Sequence, residues 1–218
     1  MIATIPATST APMAAAIVHV VDDDPGVLTA LGRCLRADGL DVTLSHSTRE
    51  FLDCYEPSVT ACLVLDLQMP EMSGLQLQQL LGQRGQHPAV VFVSGCADVA
   101  SCASAMRAGA IDFLIKPVEA DVLLEAVLRG IRSENDARQR REKEQAAEHR
   151  WSGLTPREKE VLPHIIGGRL NKQIASDLGV SLKTIKVHRA RIMQKLGVRS
   201  VAALVRVAEL AHVGVGAG

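Results

Sequence analysis

The sequence predicts an α/β domain, a doubly wound sheet of five parallel strands, joined by a helical linker to a small all-α domain of four helices. Three observations predict this. Short apolar runs alternate with amphipathic segments over residues 16–132. The charge changes sign near residue 133: Met1–Arg132 carries 8 Lys+Arg against 15 Asp+Glu, net −7, whereas Ser133–Gly218 carries 16 against 9, net +7. From Trp151 onward every apolar pattern has a helical period.

Five strands are expected at Ile17–Val21, Asp41–Leu44, Cys62–Leu65, Val90–Val93 and Ile111–Ile115. Their continuous apolar runs suit strands buried on both faces. Between and after them, helices are expected at Gly26–Asp38, Thr48–Cys54, Gly74–Gln83, Val99–Ala108 and Ala120–Arg132. Strand–helix units of this length imply a parallel sheet covered on both sides.

Residues 133–150 are highly charged, lack Gly and Pro, and are rich in helix formers. They predict a solvated helical linker, with a disordered one as the alternative. Thr155-Pro-Arg-Glu158 then forms a capping box with Pro at the first helical position. Asn171–Leu178 makes a short helix and Gly179 a turn. Ser181 caps a helix reaching Leu196, Gly197 ends it, and Ser200 caps a last helix towards His212. Pro163 falls inside the first of these helices. It is expected to kink it and remove one backbone bond, at about 3 kcal/mol unless compensated.

Residues 1–15 form an Ala/Thr/Pro-rich leader without Lys or Arg, read as disordered, and Met13 is an alternative start. The leader does not look like a secretory signal, and no stretch approaches the roughly 20 apolar residues of a membrane span. The final Gly-Val-Gly-Ala-Gly is read as frayed. The five cysteines, Cys34, Cys54, Cys62, Cys96 and Cys102, form no CxxC pair and suit no zinc site. They read as reduced thiols of a cytoplasmic protein; Cys96 stands out only because it follows the Ser94-Gly95 turn.

Chemistry concentrates at strand ends. Asp22, Asp23 and Asp24 follow the first strand, Asp66 the third, Ser94 ends the fourth, and Lys116-Pro117 follows the fifth. In an open parallel sheet those ends form the ligand crevice. Each residue alone has a plain reading: a helix cap for an aspartate, a turn for Ser94, a surface position for Lys116. Together they describe a site. Clustered carboxylates need a cation, and oxygen ligands favour Mg²⁺. A carboxylate beside it can attack a phosphoryl group, with Lys116 and Ser94 binding the equatorial oxygens.

Val18-His-Val-Val-Asp-Asp-Asp24, Leu63-Val-Leu-Asp-Leu-Gln-Met-Pro70, Val91-Phe-Val-Ser-Gly95 and Asp112-Phe-Leu-Ile-Lys-Pro117 resemble the receiver domain of two-component response regulators, a flavodoxin-like fold. Met72-Ser-Gly-Leu and Ala105-Met-Arg-Ala-Gly-Ala-Ile-Asp-Phe113 resemble its FixJ branch. The resemblance implies that Asp66 is the phosphoacceptor and that Asp22 and Asp23 are the acidic metal pair. It implies Mg²⁺ as cofactor, bound also by Asp66 and the backbone carbonyl of Gln68. Ser94 is then the switch hydroxyl, Phe113 the switch aromatic, and Lys116 the partner of the phosphoryl group. Asp24 is secondary, standing where some relatives carry Glu.

Over Asn171–Arg199 there are 7 Lys+Arg and 1 Asp+Glu, net +6. Ile185, Ile192 and Leu196 are spaced to face a core, leaving Lys183, Lys186, Val187, Ala190 and Gln194 on another face. Such a helix suits the major groove, although a basic solvated helix reads the same way. Leu154-Thr-Pro-Arg-Glu-Lys-Glu-Val-Leu162, Asn171-Lys-Gln-Ile-Ala175, Val180-Ser-Leu-Lys-Thr-Ile-Lys-Val-His-Arg189 and Ile192-Met-Gln-Lys-Leu-Gly197 are similar to the LuxR/FixJ-type helix–turn–helix. The similarity implies that residues 171–190 bind DNA through Asn171, Lys172, Ser181, Lys183, Thr184, Lys186, Val187, His188 and Arg191.

The combined expectation is a receiver at 16–132, a linker at 133–150 and a helix–turn–helix domain at 151–213. The partners implied are a sensor histidine kinase, double-stranded DNA, a second copy when phosphorylated, and RNA polymerase for an activator. The protein is not expected to be an enzyme beyond catalysing its own phosphorylation and autodephosphorylation. Two other readings stay open. An aspartate-nucleophile phosphatase needs a second Asp where Gln68 stands. A DNA-binding module with an unphosphorylated receiver would keep that domain only for dimerisation.

Overall fold

The structure is a computed structural model that describes residues 17–57, 59, 61–95 and 98–211. The leader, Met13, Cys96 and the terminal glycine-rich stretch lie outside the described residues. The chain divides into two compact units, residues 1–138 and 139–218.

In the first unit, strands β1 (Ile17–Val21), β2 (Asp41–Ser45), β3 (Ala61–Asp66), β4 (Ala89–Ser94) and β5 (Asp112–Ile115) pair in parallel in the order β2-β1-β3-β4-β5. Helices α1 (Pro25–Ala37), α2 (Thr48–Cys54), α3 (Gly74–Gln83), α4 (Val99–Arg107) and α5 (Ala120–Ser152) connect or follow them. The order reverses between β1 and β3, so the crevice at that switch point is flanked by Asp22, Asp23 and Asp66.

Alternation along the strands fills two cores. Val18, Val20, Val64, Val91 and Val93 pack with Leu28, Leu31 and Leu35 of α1 and Leu123, Val127 and Ile131 of α5. Val21, Leu63, Leu65, Val90 and Phe92 pack with Phe51, Leu77, Leu81 and Ala105 from α2, α3 and α4. Two helices on one face and three on the other are what right-handed crossovers between parallel strands produce.

The expected elements are present, with shifted ends. Strands β2, β3 and β4 are longer than expected, β5 starts at Asp112, and Trp151 lies in the last turn of α5, which runs on to Ser152. The four described cysteines are free thiols, and burial pushes that of Cys62 up to about 12. No helix among the described residues is long and apolar enough to cross a membrane.

The second unit contains α6 (Pro156–Ile166), α7 (Asn171–Asp177), α8 (Leu182–Lys195) and α9 (Val201–Leu210). They close around Leu154, Val161, Leu162, Ile165, Ile174, Ile185, Ile192, Leu196 and Leu204. Helix α6 runs unbroken through Pro163, which is exposed, while Val161, Leu162 and Ile165 are buried. Burying those side chains is worth about 1.5–3 kcal/mol each, enough to offset the missing backbone bond.

Candidate functional site

The site in the first unit is set by strand register. Val21 of β1 pairs with Leu65 of β3, Asp66 pairs with Val93 of β4, and Ser94 pairs with Ile115 of β5. Asp22, Asp66, Ser94 and Lys116 therefore emerge at one edge of the sheet. Asp22, Asp66 and Ser94 are 1%, 7% and 0% exposed.

Lys116 joins the carboxylates. Its Nζ donates to Asp22 Oδ2 at 2.6 Å and to Asp66 Oδ2 at 3.0 Å. Its backbone amide donates to the Ser94 carbonyl at 2.8 Å, anchoring the start of the loop after β5. Asp22 Oδ1 accepts the Asp24 amide at 3.0 Å, and Asp66 Oδ1 accepts the Gln68 amide at 3.2 Å. Carboxylate oxygens of Asp22, Asp23 and Asp66 lie within 4.8 Å of one another, with Asp23 exposed.

The electrostatics follow. Two like charges about 4 Å apart repel by roughly 4 kcal/mol at an effective dielectric of about 20. Burial raises the Asp22 carboxyl above its ordinary range, outweighing the hydrogen bonds from Lys116 and the Asp24 amide, and the charge of Asp66 raises it further. Burial alone would lower the Lys116 ammonium, but its bonds to Asp22 and Asp66 and their charges hold it above its usual value. A single lysine thus balances part of a three-carboxylate cluster. That hard-oxygen donor set fits Mg²⁺, which takes one or two carboxylates and keeps several waters.

The third aspartate of the run has a different task. Asp24 caps α1, accepting the amides of Gly26 at 2.7 Å and Val27 at 3.2 Å. Phe113 sits half-buried on β5, its ring 6.4 Å from that of Phe92. Gly74 lies directly behind Asp66: a Cβ there would meet the Asp66 carbonyl oxygen at 2.3 Å. The sequence reading missed that contact; beside it the Gly74 amide donates to the Leu67 carbonyl at 3.0 Å.

In the second unit α7, a turn at Gly179 with φ 64°, and α8 form a helix–turn–helix. Ser181 caps α8, accepting the Thr184 amide at 3.1 Å, and the two hydroxyls share a 2.8 Å bond. Lys172, Lys183, Lys186, Val187 and Arg191 are exposed. Asn171 is half-buried, and its Oδ1 accepts from Arg189 at 3.2 Å. His188 is also half-buried; its Nδ1 is buried with no hydrogen-bond partner among the described residues. Asn171, Thr184 and His188 are thus less exposed than Lys172, Ser181, Lys183, Lys186, Val187 and Arg191.

The comparisons with known proteins match both halves. A family described as the response regulator receiver domain matches residues 18–128, and one described as bacterial regulatory proteins of the luxR family matches residues 152–208. The chain is a two-component response regulator of the LuxR/FixJ family.

The transcriptional regulatory protein FixJ of Azorhizobium caulinodans is 41% identical over 197 residues, covering 90% of this chain and 93% of that one. The response regulator protein TodT of Pseudomonas putida is 38% identical, covering 89% and 86%. Among solved structures, the response regulator StyR has a TM-score of 0.83 at 43% identity, covering 90% of this chain and 99% of that one. Full-length FixJ from B. japonicum has a TM-score of 0.55 at 34% identity, covering 89% and 96%.

The regulator's DNA-binding half also contains cations that bond within the domain, which sequence reading did not separate from the rest. Lys195 of α8 is bonded to Glu158 and to the Gly153 carbonyl. Arg157 donates to the Leu178 carbonyl at 3.1 Å. Reading this half as a charge count hides these internal uses. Leu182, the first residue of α8, is 44% exposed and was also missed, because one apolar residue at a helix start gives no periodic signal.

Proposed function

We propose that Asp66 accepts a phosphoryl group from a sensor histidine kinase and that its phosphorylation controls transcription through the helix–turn–helix. An Asp66 carboxylate oxygen attacks phosphorus, and the phosphorus–nitrogen bond to the kinase histidine breaks, returning the electron pair to the imidazole. Asp22, Asp23, Asp66 and the Gln68 carbonyl would hold Mg²⁺, which when bound would supply charge neutralisation for the transferring group. Lys116 then pairs with the phosphoryl oxygens, and Ser94 hydrogen-bonds to them. Phe113 repacks as Ser94 moves. Hydrolysis of the same acyl phosphate resets the site.

The proposed organisation is a receiver at 16–132, a helical linker at 133–150 and a DNA-binding domain at 151–213, acting in the cytoplasm. Phosphorylation promotes a homodimer, which binds DNA half-sites through Lys172, Ser181, Lys183, Thr184, Lys186, Val187 and Arg191, with Asn171 and His188 at the margin. As an activator it then contacts RNA polymerase. The observation that supports this reading best is the Lys116 bridge between Asp22 and Asp66 beside Asp23.

The test is DNA affinity measured with and without Mg²⁺ and a small acyl phosphate. Tighter binding in their presence is expected. Unchanged affinity favours a receiver that serves only for dimerisation.

A further inference from the structure

The cations of α8 fall into two sets. Lys183, Lys186, Arg191 and Lys195 are all exposed and Arg189 is half-buried; Arg189 bonds to Asn171 Oδ1, and Lys195, 37% exposed at its side chain, also has partners inside the domain. Its Nζ donates to Glu158 Oε2 at 2.7 Å and to the Gly153 carbonyl at 3.2 Å. Glu158 is only 2% exposed, and the same oxygen accepts the Thr155 amide at 2.9 Å. Burial alone would raise this carboxyl, but the bonds from Lys195 and Thr155 hold it below its ordinary range. In the opposite direction, the Arg150 guanidinium reaches the Leu196 carbonyl at the end of α8 at 3.4 Å. The last turn of α8 therefore donates to the residue that follows α5 and to α6, while the last turn of α5 donates to the residue that follows α8. Leu154 and Leu196 are buried in the same cluster, with Trp151 packed against it.

A pair between a buried carboxylate and a partly exposed ammonium is not needed for stability, since apolar residues of similar volume often serve as well as an ion pair. What it adds is direction. The Ile185, Ile192 and Leu196 packing is non-directional and tolerates a small tilt or slide. Over 14 residues α8 is about 20 Å long, so a tilt of about 5° about its C-terminal end moves its start by roughly 2 Å. A hydrogen bond to a base edge is lost well within that displacement.

We infer that Lys195 is a positioning residue for DNA recognition: held by Glu158 and Gly153, and reinforced by Arg150, it sets where the N-terminal half of α8 lies on the bases. It does not touch DNA itself. This rests on the reading that α8 faces DNA.

The test uses the full chain and a duplex selected from a random library with the wild-type protein, beside a scrambled duplex. Affinity is measured over a salt series well below the melting temperature. Lys195→Met should weaken the selected duplex about tenfold, the scale of one lost base contact, and leave the scrambled duplex and the salt slope unchanged. Lys195→Arg, which keeps a donor for Glu158, should restore most of the loss. Arg150→Met, which leaves Glu158 paired with Lys195, should show the same pattern with a smaller loss. Equal weakening of both duplexes with a shallower slope would make Lys195 a phosphate contact and overturn the inference. A lowered melting temperature with unchanged selectivity would overturn it too. Lys186→Ala is the control: it should lower the slope by about 0.9, and an unchanged slope would instead remove the reading that α8 faces DNA.

Discussion

Lys116 and Asp66, fifty residues apart in the chain, meet as an ion pair at 3.0 Å. The same ammonium holds Asp22 at 2.6 Å, so one cation stabilises two buried carboxylates. Removing it leaves both without that partner. Lys116→Met is expected to destabilise the receiver by about 2 kcal/mol in chelator, below the ~3–5 kcal/mol of a fully buried pair because the lysine is partly exposed. Urea unfolding with and without Mg²⁺ checks this. The ion should stabilise the variant more than the wild type; equal stabilisation would contradict the shared cluster.

Gly74 reports on the same spot through sterics. Its Cβ would stand 2.3 Å from the Asp66 carbonyl oxygen and 3.0 Å from Leu65 and Phe92 side-chain atoms. Backbone oxygen and strand side chains have little room to yield. Gly74→Ala is expected to cost on the order of 1–3 kcal/mol, as overpacking does, and to slow phosphoryl uptake by displacing Asp66. Equilibrium unfolding and labelling rate measure the two effects separately. An unaltered stability would mean that α3 can shift without penalty.

His19 gives a pH dependence with a definite sign. It is buried on β1 against Phe51 and Tyr55, with ring centroids 5.3 and 6.0 Å away, and burial lowers its value below the ordinary 6.5. The unfolded chain therefore takes up a proton before the folded one does. The stability linked to His19 is fully present above about pH 6.5 and is lost as pH falls through the lower folded-state value. His19→Leu should flatten that part of the stability profile, measured as the urea midpoint from neutral to mildly acidic pH. A variant with the wild-type slope there would assign the dependence to other groups.

Much of this was legible in the sequence. Strands β3 and β4 were legible because they are buried on both faces and so read as unbroken apolar runs, such as Val90–Val93. The site was legible because parallel topology alone brings strand ends together, placing Asp22, Asp66, Ser94 and Lys116 at one edge. Tertiary contacts were not legible. Nothing local marks Gly74 as the neighbour of the Asp66 carbonyl, or Lys195 as the partner of Glu158 thirty-seven residues earlier. Asp24 marks the boundary between the two cases. An aspartate after a strand suits a cap or a ligand equally, and only the bonds from Gly26 and Val27 show the cap.

The central claim is that Asp66 is where the phosphoryl group enters. Intact-mass analysis of the wild type and Asp66→Asn, each incubated with a small acyl phosphate and Mg²⁺, tests it most directly. The wild type should gain one phosphoryl group, lost again on treatment with hydroxylamine, and the variant none. A variant labelled to the same extent as the wild type would contradict the claim.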